Sequence, residues 1–157
     1  LEVHVTAALK LIHAVLPHMR ANERGTIINV SSVAGFACGP GAGMYCSTKA
    51  FLNTFSEILH MEYRKKGIRV QALCPGFTHT DFHEKIGIPR ERQTRVGILP
   101  WMEVDEVVGY SLKSLDKGRV LCIPGFTYRM VVRFICALPR RMYYWLLEGR
   151  SSKDLRE

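Results

Sequence analysis

Two short apolar runs constrain this chain more than anything else in it: Thr26-Ile27-Ile28-Asn29-Val30, and Ile68 to Cys74. The first is mostly apolar and rich in β-branched residues, and reads as a strand covered on both faces, as in a parallel sheet; the second also reads as a strand. Between them lie a glycine-rich loop from Ser31 to Gly43 and a helical pattern from about Met44 to Lys66, with Phe51, Phe55, Ile58, Leu59 and Glu62 in register. Parallel neighbours need a crossover of this kind. Gly67 follows Arg64, Lys65 and Lys66 as a helix C′ residue, and Pro75-Gly76 stops the second strand.

The flanks continue the alternation. Val5, Ala8, Leu9, Ile12, Val15, Leu16 and Met19 recur at spacings of three and four, which predicts a helix over Leu1 to Met19 with one buried face. Pro17 should bend or weaken its last turn, and Asn22 to Gly25 supplies a polar turn. Thr78 to Trp101 is polar and aperiodic. Glu103 to Leu115 reads as a helix and Arg119 to Ile123 as a third strand ended by Pro124-Gly125. Helices alternating with strands predict an α/β fold built from βαβ units.

Composition removes several classes. At 157 residues, 47% hydrophobic and 23% charged, the chain is too apolar for a disordered one. It has no uncharged apolar stretch of the about 18 residues that a spanning helix needs. Cys38, Cys46, Cys74, Cys122 and Cys136 are odd in number and contain no C-x-x-C, which predicts reduced thiols and a cytoplasmic setting, without disulfide or zinc. The first 20 residues, with Glu2, Lys10 and three histidines, do not read as a signal peptide. Charge is uneven: residues 118–157 hold 8 Lys and Arg against 3 Asp and Glu, whereas residues 1–117 hold 14 against 11. The net +8 is therefore concentrated in the last quarter, and no basic-aromatic platform accompanies it that would suggest nucleic acid.

In an open parallel sheet, ligands bind beyond the carboxyl ends of the strands. Ser31-Ser32 and Pro75-Gly76 mark two such ends, and the long helix starts near that edge with Tyr45 and Lys49, four residues apart on one helix face. An ammonium beside a phenol favours the phenolate, lowering a value that is ordinarily near ~10. Such a tyrosine can pass a proton to or from a substrate oxygen, and Ser32 can hold that oxygen by a hydrogen bond. Hydride would have to come from a cofactor. Taken alone, Tyr45 and Lys49 better describe a helix start with an ordinary salt-bridging lysine; Ser32 and Pro75-Gly76 favour the catalytic reading.

Ile27-Ile28-Asn29-Val30-Ser31-Ser32, Tyr45-Cys46-Ser47-Thr48-Lys49-Ala50-Phe51 and Cys74-Pro75-Gly76-Phe77-Thr78-His79-Thr80 together resemble the successive motifs of the short-chain dehydrogenase/reductase family, over residues 1 to about 125. The resemblance implies a Rossmann-type doubly wound parallel sheet, of which this chain is the carboxyl half, followed by a C-terminal amphipathic helical extension over 126–157. It implies Tyr45 as acid/base, Ser32 as the substrate-orienting residue, and Lys49 as both tuner of Tyr45 and ligand of the nicotinamide ribose. Pro75, Gly76, Phe77, Thr78 and Thr80 would touch the cofactor. Val3-His4-Val5 stands where the family has an asparagine helix motif, so His4 takes the place of a residue that supports a proton relay. The implied cofactor is NAD(P)(H), with NADP(H) preferred. The implied activity is interconversion of a carbonyl and a secondary alcohol by a homo-oligomer acting on an apolar small molecule, in the manner of ketoreductases for steroid-like or acyl-chain substrates. The family's glycine-rich pyrophosphate turn and its N-N-A-G segment do not occur in the chain, so residues 1–157 alone are expected to be inactive.

Other residues leave two readings each. Ser31 is expected to cap backbone at the strand end; Phe77 and Thr78 serve the cofactor or merely shape the turn. His79 and His83 lack a third metal ligand, so they read as solvent-facing or substrate-loop residues. Phe82 to Trp101, with Ile86, Ile88, Ile98 and Leu99, reads as a lid over the substrate or as plain surface loop. Residues 126–147 mix aromatics with Arg129, Arg133, Arg140 and Arg141, and Pro139 divides them into two short helices. They fit docking on the protein itself or peripheral contact with an anionic membrane. A catalytically silent, membrane-associated binding module on the same fold is the competing reading of the whole.

Overall fold

The computed structural model of the protein describes residues 1–37, 41–81, 89–94 and 96–145. The sequence expectations for Cys38, Gly39 and Pro40, for Phe82 to Ile88 with His83, and for Leu146 to Glu157 lie outside the described residues. Three parallel strands form the sheet in the order β1 (Gly25–Val30), β2 (Ile68–Leu73), β3 (Leu121–Cys122). Gly25 pairs with Ile68 and Val30 with Leu73, so β1 and β2 end level with each other.

Helices cover both faces of β2. Ile68 and Val70 pack with Ile27, Ile12 and Leu59, the last two from α1 (Ala7–Ala21) and α2 (Gly43–Tyr63). Leu73, pointing the other way along the pleat, packs with Cys122 and with Val107 of α3 (Val104–Asp116). The polar residue of β2 is satisfied on that second face: the fully buried Gln71 accepts from Ser111 Oγ (2.6 Å) and donates to the carbonyls of Ser111 and Arg119 (3.3 Å each). Asn29 of β1 donates to Ser56 Oγ of α2 at 2.9 Å.

β1 departs from expectation. Its side chains alternate, with Ile27 and Asn29 buried but Ile28 36% and Val30 60% exposed. The reason is positional: among the described residues α3 packs on β2 and β3, and nothing covers that face or the outer edge of β1. The first helix shows the same lack. It opens as a π-helical turn (Glu2–Thr6), runs through Pro17 as α1, and buries only Ile12, leaving Leu11 67% and Val15 40% exposed. A cleft of about 480 Å³ lies between α1 and β1, bounded by Ile12, Val15, Met19 and Ile28 and reaching His4 and Lys49.

The third strand is shorter than Arg119 to Ile123, because Gly118 and Arg119 donate backbone N–H groups to Leu115 and Ser114 and so close the end of α3. The ladder still extends through carbonyls at Val120 and Cys122, which accept from Ala72 and Cys74 at 2.8 and 2.7 Å. After Gly125, α4 (Phe126–Ala137) follows; Leu138 is extended before Pro139, and residues 140–145 resume helix, with Tyr143 donating its N–H to the Pro139 carbonyl.

Two measurements check this architecture. Gly67 sits at φ 70°, and a Cβ there would overlap the Glu23 carbonyl oxygen. Gly67→Ala should lower unfolding free energy by about 2 kcal/mol in urea titration, and an unchanged midpoint would contradict the close approach. Cys46, Cys74 and Cys122 are free and buried, and burial pushes the Cys74 thiol up to about 12, whereas Cys136 is exposed. Alkylation of the native protein at about pH 8 should modify Cys136 and spare Cys74 and Cys122 until denaturant is added; early labelling of Cys74 would refute its burial.

Candidate active site

The level ends of β1 and β2 are tied together beyond the last ladder pair. Ser31 donates its N–H to the Leu73 carbonyl at 2.7 Å, and Val33 donates to the Pro75 carbonyl at 3.0 Å. Ser32 and Pro75-Gly76 are thereby held at one edge. Ser32 is extended and begins a short 3₁₀ turn (Val33–Gly35), its Oγ accepting from Ala34 N at 3.1 Å. That accepted bond leaves the hydroxyl hydrogen available to a further acceptor. Ser31 Oγ donates to the Lys49 carbonyl at 2.9 Å, so this hydroxyl fastens backbone, joining the strand end to α2.

Tyr45 and Lys49 lie on the first turns of α2. Lys49 is buried at 8% exposure and donates from Nζ to the Val30 carbonyl at 2.9 Å, while Nζ stands 5.6 Å from the Tyr45 ring centroid. Lys49 makes no ion pair with a carboxylate among the described residues, so its partners are a strand carbonyl and a phenol ring. Burial pulls its pKa below the ordinary lysine value, opposed by the Cys74 side chain. His4 meets the Tyr45 ring edge to face, with centroids 6.0 Å apart at 88°. Burial, then the Lys49 charge, lowers the His4 pKa below its ordinary 6.5, so its imidazole is neutral at pH 7. His4, Tyr45 and Lys49 thus form one cluster beside the end of β1.

The second group of sequence-predicted residues follows β2. Thr78 is buried and its Oγ1 donates back to the Gly76 carbonyl at 3.1 Å, while Thr80 is exposed. Phe77 and Met102 exchange backbone contact with His79: Met102 N donates to Phe77 O and His79 N to Met102 O, both at 3.0 Å. Trp101 stacks between Phe77 (5.1 Å) and His79 (5.2 Å). Of the two readings of His79, the solvent-facing one does not hold. Its side chain is 16% exposed, and Nδ1 lies 2.8 Å from Gln93 Oε1, because the returning segment before α3 folds over it. Of the proposed lid residues, Ile98 is 69% exposed, whereas Trp101 is partly buried.

Sequence reasoning missed three participants. The Val30 carbonyl receives Lys49, and no side-chain pattern announces a carbonyl. Asn53, one turn beyond Lys49, accepts from the Cys74 thiol at 3.2 Å with its amide nitrogen buried. Tyr128 of α4 is buried to 1% and bonds the loop after β2, although it lies beyond the last motif. Its spacing from Gly76 carries no periodic signal.

The family model described as short chain dehydrogenase matches residues 1–91. The chain is 32% identical over 141 residues to 17-beta-hydroxysteroid dehydrogenase type 3 of Rattus norvegicus, a match covering 90% of this chain and 43% of that protein. It is 40% identical to the very-long-chain 3-oxoacyl-CoA reductase of Mus musculus, covering 99% of this chain and 46% of the relative. Among solved structures, a short-chain dehydrogenase from Sphingobium yanoikuyae in complex with NADPH superposes with a TM-score of 0.68 at 30% identity, covering 98% of this chain and 54% of that one. The chain spans less than half the length of the two curated relatives. A parallel sheet with helices on both faces, and a family match across more than half the chain, place it in the short-chain dehydrogenase family.

Proposed function

We propose that this chain carries the catalytic part of an NAD(P)(H)-dependent oxidoreductase that interconverts a carbonyl and a secondary alcohol through Ser32, Tyr45 and Lys49. The observation that carries the reading is the buried Lys49, bonded to a strand carbonyl and set 5.6 Å from the Tyr45 ring. A cation buried at this position without a carboxylate partner is expensive for stability alone. It is well suited to a site where negative charge develops on a phenol.

The donor set fits a nicotinamide nucleotide. Lys49 has three N–H donors and spends one on Val30, leaving two for ribose hydroxyls. In the segment Pro75 to Thr78 the Phe77 N–H and carbonyl already bond Tyr128 and Met102, so Gly76 and Thr78 would supply backbone N–H groups to the carboxamide, and Thr80 presents an exposed hydroxyl. The cofactor supplies the hydride, which no side chain can. Tyr45 gives its phenolic proton to the substrate oxygen in reduction and takes it back in oxidation, with Lys49 favouring the charged phenolate in between. Ser32 directs its free hydroxyl hydrogen to the same oxygen. His4, neutral, has one donor and one acceptor nitrogen and can pass a proton along water to Tyr45. The NADPH complex of the Sphingobium yanoikuyae relative supports NADP(H) as the preferred form. The names of the steroid and long-chain acyl relatives support an apolar substrate. Homo-oligomer assembly belongs to the same reading, supported by Met44, Phe51 and Ile58, which leave an apolar stripe exposed along α2.

A second reading concerns location. No helix among the described residues is long and apolar enough to cross a membrane. Yet the outer face of α4 carries Phe126, Met130 and Phe134 at 70%, 47% and 61% exposure, and Trp145 is 77% exposed. From Lys117 to Leu147 the sequence holds six Lys and Arg and no Asp or Glu. Exposed aromatics on an acid-free basic segment suit peripheral contact with an anionic bilayer through 126–147.

The full-length protein containing this chain tests both. Tyr45→Phe should lower turnover of carbonyl substrates by about 10²–10⁴-fold while NADPH still binds, and retained turnover would remove Tyr45 from its role. In sedimentation with anionic liposomes, replacing Arg133, Arg140 and Arg141 by Glu should release the protein to the supernatant. Equal pelleting of both forms would end the membrane reading.

A further inference from the structure

The loop after β2 is fastened from an unexpected direction. Tyr128, on the first turn of α4, is 1% exposed, and its hydroxyl is used twice: it accepts the Phe77 N–H at 3.0 Å and donates to the Pro100 carbonyl at 2.6 Å. Its ring sits beside Gly76, where a Cβ would overlap Cε1 and Cζ. One phenol therefore joins the Gly76-Phe77 turn, the segment leading into α3, and α4. Burial holds this phenol's pKa above its ordinary value, so it stays a neutral donor and acceptor.

The other hydrogen bonds of the turn reach the Pro75, Gly76 and Phe77 carbonyls and leave the space beside the Gly76 Cα to another group. Thr78 Oγ1 reaches back to the Gly76 carbonyl, and Met102 holds the Phe77 carbonyl, but the ring of Tyr128 is what occupies the space beside the Gly76 Cα. Glycine is free to adopt several backbone conformations, so a packed aromatic wall and a bonded N–H on the next residue restrict it to one. A turn already held in its binding geometry loses less entropy when a ligand arrives.

We propose that Tyr128 is a positioning residue for the nicotinamide cofactor, holding the Gly76-Phe77 backbone in the geometry the cofactor meets. The proposal rests on the reading of Pro75 to Thr80 as the cofactor contact. It also accounts for the glycine at position 76, since any larger residue would displace the ring.

The experiment uses the full-length protein, with NADPH and NADH as probes and thermal melting run in parallel. Tyr128→Phe keeps the ring and strands the Phe77 N–H and the Pro100 carbonyl. The expected result is a rise of about tenfold in cofactor Kd and KM, with substrate KM unchanged. A purely structural role would lower the melting temperature and the active fraction while leaving both cofactor constants alone, and that result overturns the proposal. Gly76→Ala should abolish cofactor binding, and adding Tyr128→Leu should restore part of it by making room for the methyl group. Independent, additive effects of these two substitutions would also overturn the proposal, and this cycle decides the matter if Tyr128→Phe does not fold. Absence of saturable cofactor binding by the wild-type protein would overturn the cofactor reading of the turn; wild-type binding with an unaltered Tyr128→Phe constant would overturn the role of Tyr128 alone.

Discussion

The level pairing of β1 and β2 is the constraint on which the site depends. Because Val30 pairs with Leu73, both strands stop at one edge, and two backbone hydrogen bonds beyond the ladder hold their loops side by side. An antiparallel pair would send one of those loops to the opposite end of the sheet. A register slip of one residue would turn Val70 toward α3 and Gln71 into the apolar cluster under α1 and α2. The buried Gln71–Ser111 bonds resist that slip, since losing them strands buried polar groups.

On that frame, the site is assembled from short-range chemistry. Lys49 reaches the end of β1 because Ser31 ties the strand end to the Lys49 carbonyl, and Nζ then bonds the neighbouring Val30 carbonyl. The result is a buried ammonium whose partners are a strand carbonyl and an aromatic ring, with no carboxylate among the described residues. His4 lies within the π-helical turn before α1 and packs edge to face on Tyr45.

Much of this was legible in the chain. The β-branched run ending in Ser31-Ser32, the four-residue spacing of Tyr45 and Lys49, the left-handed Gly67 and the break at Pro139 are local signals, governed by residues close in sequence, and each reads through to the structure. The exposure of Ile28 and Val30 was not legible, since burial of a strand face depends on which helix crosses it. The shortness of β3 was not legible either, because Gly118 and Arg119 are drawn into the end of α3 instead. The solvent-facing alternative for His79 fails for a related reason: its surroundings come from Gln93 and Trp101, residues with no periodic relation to it.

By itself, the sequence determined the class of fold, the edge of the sheet where Ser32, Tyr45 and Lys49 gather, and the residue types found there, because strand, helix and turn preferences act over a few residues. The tertiary structure decided which groups hold those residues in place. The Val30 carbonyl receives Lys49 only because a crossover brings α2 back to β1, and Tyr128 reaches Gly76 across 52 positions of chain only because α4 folds under the same edge. Contacts of that length follow from packing, and no pattern within either segment encodes them.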